Sequence, residues 1–301
     1  MPRMVRVAVA AGVLALALAS PVLAQIDANL GALNAENVKG YLSPLPKALS
    51  TTLNMAEFQS ASIPLAGFNL TVGVHVMAVT FADDDKTYDV KDPIDGSVLG
   101  KASTVAGSTL ATDFTRSDNT VLYHPGGLGL SQFTVAVPQL AIGSVLGTRA
   151  VVRWIQFDAG DSDFGKVDFL GIGLQHSLNR YLKGLPVDLA AGGMYQTFSL
   201  GKDKLIDTKA MHFEVTASRK LALWVQPYAG VGYDTFSMEA NYTPDASVAS
   251  SVPTNVKFDD ENGFHGTLGV MFGFPLVKLH AQVDQAKETG AAVGLRFGLG
   301  N

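Results

Sequence analysis

The stretch that decides the fold is Phe68-Asn69-Leu70-Thr71-Val72-Gly73-Val74-His75-Val76-Met77-Ala78. Phe68, Leu70, Val72, Val74, Val76 and Ala78 are apolar, while Asn69, Thr71, Gly73, His75 and Met77 between them are smaller or more polar. A period of two sets the first group on one face of a β-strand and the second on the other. The pattern recurs in Met211, Phe213, Val215 and Ala217 against His212, Glu214, Thr216 and Ser218. It returns in Val277, Leu279, Ala281 and Val283 against Lys278, His280, Gln282 and Asp284, and again in Ala291 to Leu299 around Gly294, Arg296 and Gly298.

A soluble sandwich alternates in the same way, because it hides its apolar face inside. Length separates the two cases. Soluble strands average about five or six residues, whereas these segments run for roughly 9–14, the span of a tilted transmembrane strand. The second face also carries glycine and full charges at Lys278, Asp284 and Arg296, as the wall of a narrow wet lumen requires.

Working outward, strands are expected at residues 68–81, 132–142, 147–157, 167–177, 187–200, 207–218, 221–237, 264–273, 276–284 and 289–299. Most of the odd-numbered gaps are the longer ones, and they hold Asp83-Asp84-Asp85, Asp158/Asp161/Asp163 and Asp259-Asp260-Glu261. Long external loops, short periplasmic turns and both termini in the periplasm are the layout of an outer-membrane barrel. The expectation is therefore an all-β fold, an antiparallel transmembrane β-barrel of about ten strands. The count becomes twelve if residues 108–114 and 120–123 pair within the first long gap. Aromatics gather where interfacial girdles belong: Phe81, Phe133, Trp154, Phe157, Tyr195, Phe198, Tyr233, Phe236 and Phe264 at one edge, and Phe68, Trp224, Phe272, Phe274 and Phe297 at the other.

Composition agrees. Of 301 residues, 16% are charged and 47% hydrophobic, with 31 glycines; a soluble domain carries about 25% charged residues. No apolar run reaches the ~20 residues of a membrane-spanning helix, and the apolar content excludes disorder. Residues 1–24 read as an export signal. Arg3 and Arg6 precede the apolar run Val7 to Ala19, and Val22-Leu23-Ala24 predicts cleavage before Gln25. Losing those two arginines takes the net charge from −5 to −7, which argues against nucleic acid as a partner. There is no cysteine, so the fold is held without disulfides despite export.

Residues 25–63 read as a short helical segment ahead of a barrel at 64–301. Val38, Tyr41, Leu42 and Leu45, then Leu49 and Leu53, repeat every three or four residues, with Ser43 as a cap and Pro44 in the first turn. Two readings stand: a periplasmic helical lead, or a plug folded into or across the mouth of the barrel.

The run Gly40-Tyr41-Leu42-Ser43-Pro44-Leu45, then Phe68 to Val74, Ile172-Gly173-Leu174-Gln175-His176-Ser177-Leu178 and Leu185-Pro186-Val187-Asp188-Leu189-Ala190 resemble an uncharacterised family of exported bacterial proteins taken to be outer-membrane barrels. The resemblance covers most of the chain after the signal. More distantly, the layout is similar to the long-chain fatty-acid transporters of the outer membrane, which carry an N-terminal plug. That resemblance implies passage of a hydrophobic solute.

No motif points to catalysis. His75, His212, His265 and His280 share the inward parity but have no metal-ligand spacing. Asp158/Asp161/Asp163 lacks the full calcium-loop pattern. Gly171-Ile172-Gly173 has no helix after it, and Ser177 and Ser199 have no nucleophile elbow. No catalytic, cofactor-binding or metal-ligating residue is assigned. The expected lumen lining is His75, His212, Glu214, Gln226, His265, Lys278, His280, Gln282, Asp284 and Arg296. The functional expectation is a monomeric, porin-like barrel in the outer membrane, non-enzymatic, in contact with membrane lipids and the barrel assembly machinery, and passing a small or hydrophobic solute. A structural or binding barrel that meets lipopolysaccharide or another surface through its loops is the alternative, and a lipid-modifying enzyme a third class.

Overall fold

The computed structural model describes residues 20–158, 166–221, 224–245 and 252–299. Most of the expected export signal, together with Asp161 and Asp163, lies outside them. Three helices open the described chain: α1 (Ser20–Gly31), α2 (Ala35–Leu42) and α3 (Pro44–Leu53). Helix α1 runs through the expected cleavage point. The side-chain oxygen of Asn34 caps α2 by accepting from the Asn37 N–H at 2.9 Å. Ser43 differs from the expected cap. It is itself helical, with φ −51° and ψ −31°, and its side chain makes no cap bond, so α2 runs almost directly into α3.

The strands follow in chain order: β1 (Ala66–Thr80), β2 (Thr87–Lys91), β3 (Val98–Ser103), β4 (Thr112–Thr115), β5 (Val121–His124), β6 (Gln132–Val145), β7 (Thr148–Asp158) and β8 (Lys166–Ser177). Then come β9 (Asp188–Leu200), β10 (Ile206–Ser218), β11 (Val225–Tyr242), β12 (Thr254–Lys257), β13 (Gly263–Gly273), β14 (Val277–Gln285) and β15 (Thr289–Leu299). The wall order is β10-β9-β8-β7-β6-β1-β15-β14-β13-β11, all antiparallel, and β10 pairs with β11 to close it. This is a closed ten-stranded barrel. Closure pairs each wall strand on both sides and removes the sheet edges, which is how a chain without cysteine holds so large a sheet.

The twelve-strand variant is not what forms. β4 and β5 pair only with each other, as do β2 and β3, and both hairpins stand above the wall. β12 extends β11 beyond the rim. The seventh wall strand also starts at Val225 rather than residue 221 and runs on to Tyr242. The turn between β6 and β7 is Leu146-Gly147, with φ of 52° and 78°, the left-handed pair that a tight two-residue hairpin uses.

The apolar faces point outward. Phe213, Val231 and Val293 are 53%, 68% and 55% exposed, while His75, His212 and Asp284 from the opposite faces are buried. Tyr195, Tyr233 and Phe264 stand exposed near the long-loop rim, and Phe68, Trp224 and Phe274 near the other. Tyr233 and Phe264 pack edge to face at 5.6 Å, and Trp224 stacks on Phe272 at 6.0 Å. Phe81 and Phe236 do not join the girdle. Both are buried, because the helices and hairpins above the rim form a cap with its own core.

That core joins Leu30, Leu33, Val38, Tyr41, Leu42, Leu49 and Leu53 of the helices to Tyr88, Val90 and Ala102 of the hairpins, and to Met77, Val79, Ile206 and Met238 of the upper wall. Arg116 Nε donates to Asp92 at 2.7 Å and ties one hairpin to the other. The expectation of both termini at the short-turn end therefore fails for residues 20–53. Asp245 donates its backbone N–H to Gly31 O at 2.8 Å, Tyr242 OH donates to Leu33 O, and the Glu288 N–H donates to Thr51, all at the long-loop end. Residues 54–63 then descend through the lumen to reach β1.

Candidate functional site

The functional question centres on this descending segment and the wall around it. Met55 to Ala61 are buried within the barrel. Phe58 packs with Ala141, Val151 and Met194, and Ala61 and Ile63 with Ala190. Gly192 makes the first contact feasible, since a Cβ there would stand 2.7 Å from the Phe58 ring.

One side of the wall grips the plug's backbone. Arg153, fully buried on β7, donates Nη1 to Leu53 O at 3.0 Å and Nη2 to Met55 O at 2.8 Å and to Ala56 O. Its Nε donates to Gln139 Oε1 at 2.8 Å. Gln196 Nε2 donates to Leu53 O at 2.7 Å and to Glu57 Oε1 at 2.8 Å. Two pleat repeats lower on β7, Arg149 Nη2 donates to Ser60 O at 2.7 Å. Arg296 Nη1 donates to Gln59 Oε1 at 2.7 Å. At the short-turn mouth Gln226 donates to Ser60 Oγ and Ser218 Oγ at 2.9 Å each, Ala61 N–H donates to Ser218 Oγ at 3.0 Å, and Ser144 donates to Pro64 O. An extended segment in a lumen has no helical or ladder partners for its carbonyls, so wall side chains have to supply them.

The other side of the wall mostly bonds to itself. Asp234 on β11 takes His212 Nδ1 at 2.5 Å and His265 Nδ1 at 2.7 Å. His265 Nε2 faces Asp284 Oδ1 at 3.0 Å, so the ring has a carboxyl group against each nitrogen. His212 Nε2 lies 3.6 Å from Glu214 Oε2. Thr216 donates to Glu214, Thr267 and Gln282 donate to Asp284, and Thr267 Oγ1 lies 3.3 Å from Glu214 Oε2. Tyr228 donates to Gln282 Oε1 at 2.9 Å and approaches His280 Nδ1, whose Nε2 faces His75 Nδ1 at 2.6 Å. Ligand atoms of His212, Asp234 and His265 lie within 4.8 Å of one another.

Of the ten residues singled out from the sequence, His75, His212, Glu214, Gln226, His265, His280, Gln282, Asp284 and Arg296 are buried inside. Lys278 is partly exposed and lines a cavity of about 650 Å³ at the short-turn mouth, with Lys220, Trp224, Met271 and Phe274. The sequence reading missed Glu57, Gln139, Arg149, Arg153, Gln196, Tyr228 and Asp234. Asp234 has the same strand parity as Gln226, and Arg149 and Arg153 share a face of β7 with buried Val151, so alternation carried to those strands finds them. Nothing local marks Glu57.

Three solved structures show the level of likeness. The translocator domain of the autotransporter NalP from Neisseria meningitidis is 9% identical, with a TM-score of 0.41, over 86% of this chain and 99% of that one. The Escherichia coli outer membrane protease OmpT is 9% identical, with a TM-score of 0.36, over 79% and 98%. The Ralstonia pickettii toluene transporter TbuX is 10% identical, with a TM-score of 0.28, over 82% and 95%. No curated protein matches the sequence. The family model described as "Family of unknown function (DUF6588)" matches residues 4–299, and the chain belongs to that family.

Proposed function

We propose that this chain is an exported outer-membrane barrel, closed by its own N-terminal segment, that works through the cap above its long-loop rim in a binding or structural role. The outward belt of Phe213, Val231, Leu268 and Val293 suits lipid tails, since exposed apolar area on that scale is unfavourable in water. The observation that carries closure is the Arg153 guanidinium seated on the carbonyls of Leu53, Met55 and Ala56. A ten-stranded barrel is only slightly wider than the eight-stranded barrels that side chains fill, and here a whole chain segment occupies the interior. The cap presents Ile94, Leu110, Val121 and Tyr123 to solvent on its loops and hairpins, and loops on a rigid scaffold are where contacts are made.

Catalysis forms no part of this reading. The ring nitrogens of His212 and His265 face carboxylates, so neither ring has a nitrogen directed at a nucleophile.

The cavity above Lys278 favours a second reading, passage of a small apolar solute after displacement of the plug, because Trp224, Met271, Phe274 and Pro275 form much of its wall. Liposome swelling and planar-bilayer conductance separate the two. The full chain is expected to give neither solute flux nor steady conductance. Flux through the unmodified protein would remove the closed-barrel reading in favour of transport.

A further inference from the structure

Closure of the lumen leaves unused a group of side chains where β10, β11 and β13 face the plug. His212, Asp234 and His265 come from three adjacent wall strands, and the ladder sets their spacing: His212 pairs with Asp234, and His265 with Gly232. All three are buried. Two glycines let these side chains lie flat against the wall, because a Cβ on Gly232 would stand 2.7 Å from the His212 ring and one on Gly230 would stand 2.4 Å from the Glu214 carboxyl. The plug contributes a second, independent feature. Glu57 is 3% exposed, its Oε1 accepts from Gln196, and its Oε2 has no hydrogen-bond partner. The charged groups that act on it are His212, Arg153, Asp234 and Glu214. A buried carboxylate oxygen left unpaired is costly, and such a group in a native structure calls for a partner.

We infer that His212, Asp234 and His265 of the wall, with Glu57 of the plug, form a site for a first-row divalent transition cation of the Zn²⁺ or Co²⁺ class. Two imidazoles with carboxylates suit such ions, whereas Ca²⁺ and Mg²⁺ take oxygen ligands throughout. The cation takes the place of the protons that the rings now share with Asp234, so binding releases protons. Asp284 and Glu214 then stand beside the rings as orienting acceptors, the arrangement by which metal-ligating histidines are held. The consequence is mechanical. The ion fastens the N-terminal segment to the side of the barrel that otherwise bonds to itself at this level. This goes beyond closure of the lumen, which rests on the arginine side and, at the short-turn mouth, on Gln226 and Ser218.

The test uses the full-length chain refolded without metal and then dialysed against Co²⁺. Folding is verified by heat-modifiable gel migration. Roughly one equivalent of Co²⁺ per chain should be retained, with X-ray absorption showing imidazole scattering. His265→Gln and Asp234→Asn should each weaken retention by about 10-fold or more. Glu57→Gln should weaken it less and abolish any added protease protection of residues 54–63 that Co²⁺ confers. A folded wild-type protein that retains no cobalt, an oxygen-only shell, or equal retention by a His212→Gln/His265→Gln double variant would each overturn the site. If a variant does not fold, the wild-type scattering decides. Failure here leaves the conductance result, and so the closed-barrel reading, untouched.

Discussion

The two halves of the lumen wall are built from the same kind of strand yet treat the plug in opposite ways. On β7, β9 and β15, long donors at Arg149, Arg153, Gln196 and Arg296 reach across the lumen to the plug. On β10, β11, β13 and β14 the shorter acidic and imidazole groups bond to one another along the wall. The difference follows from reach and chemistry. A guanidinium has only donors on a long stem and can satisfy stranded carbonyls at a distance. A carboxylate has only acceptors, so its partners are the donors beside it in the ladder. A barrel wall can thus hold a foreign segment on one side and rigidify itself on the other.

The largest effect should come from breaking the grip. Arg153→Met removes the guanidinium from the carbonyls of Leu53, Met55 and Ala56, of which Leu53 O keeps Gln196 and Ala56 O keeps Gln59, and each charge-assisted bond lost is worth about 1.5–3 kcal/mol. Protease should then cut within residues 54–63 in intact proteoliposomes, and bilayer conductance should appear. If cleavage and conductance stay at wild-type levels, the arginine side is not what retains the plug. Asp234→Asn gives the opposite signature in metal-free buffer. It should lower barrel stability by about 1–3 kcal/mol in denaturant titrations, while residues 54–63 remain protected.

An effect of about 2–4 kcal/mol is expected for Val231→Arg on the outer face at the bilayer midplane. It is read from refolding equilibria in lipid vesicles. A cost below about 0.5 kcal/mol, the usual surface value, would remove the lipid-facing assignment that both halves share.

The smallest effect concerns a buried histidine on which the Leu122 backbone and the Asp113 carboxylate act only weakly against burial. His124 in the cap lies between the Tyr88 and Phe114 rings, and neither of its ring nitrogens has a partner. Burial holds its pKa below the ordinary 6.5. The unfolded chain therefore binds the proton more readily, and cap stability falls as pH drops through and below 6.5. His124→Phe should remove that component from the pH dependence of hydrogen exchange in residues 87–124. An unchanged profile would contradict the assignment.

How much of this was legible in advance varies by element. The strands β1, β10, β14 and β15 could be read from alternation alone, because one face had to meet lipid and the other water or polar groups. β11 was misjudged at both ends. Its start at Val225 depends on pairing with β13 through Phe272, and its end at Tyr242 on the cap and β12. The histidines were visible as inward-facing residues, but Asp234, which joins two of them, becomes their partner only through the register between β10, β11 and β13. The path of the N-terminal segment was not legible. Apolar helices at residues 35–53 call for a surface to cover, and either end of the barrel could supply one.

Taken by itself, the order of amino acids determined that these ribbons have one greasy and one wet side, that they are long, and that they number about ten, because a period of two along an extended chain is a local property. Tertiary structure alone decided what fills the space they enclose. Whether Glu57 meets Gln196 and His212, or Arg153 meets the carbonyl of Ala56, depends on residues up to about 155 positions apart brought face to face by closure of the ladder, and no local pattern encodes that distance.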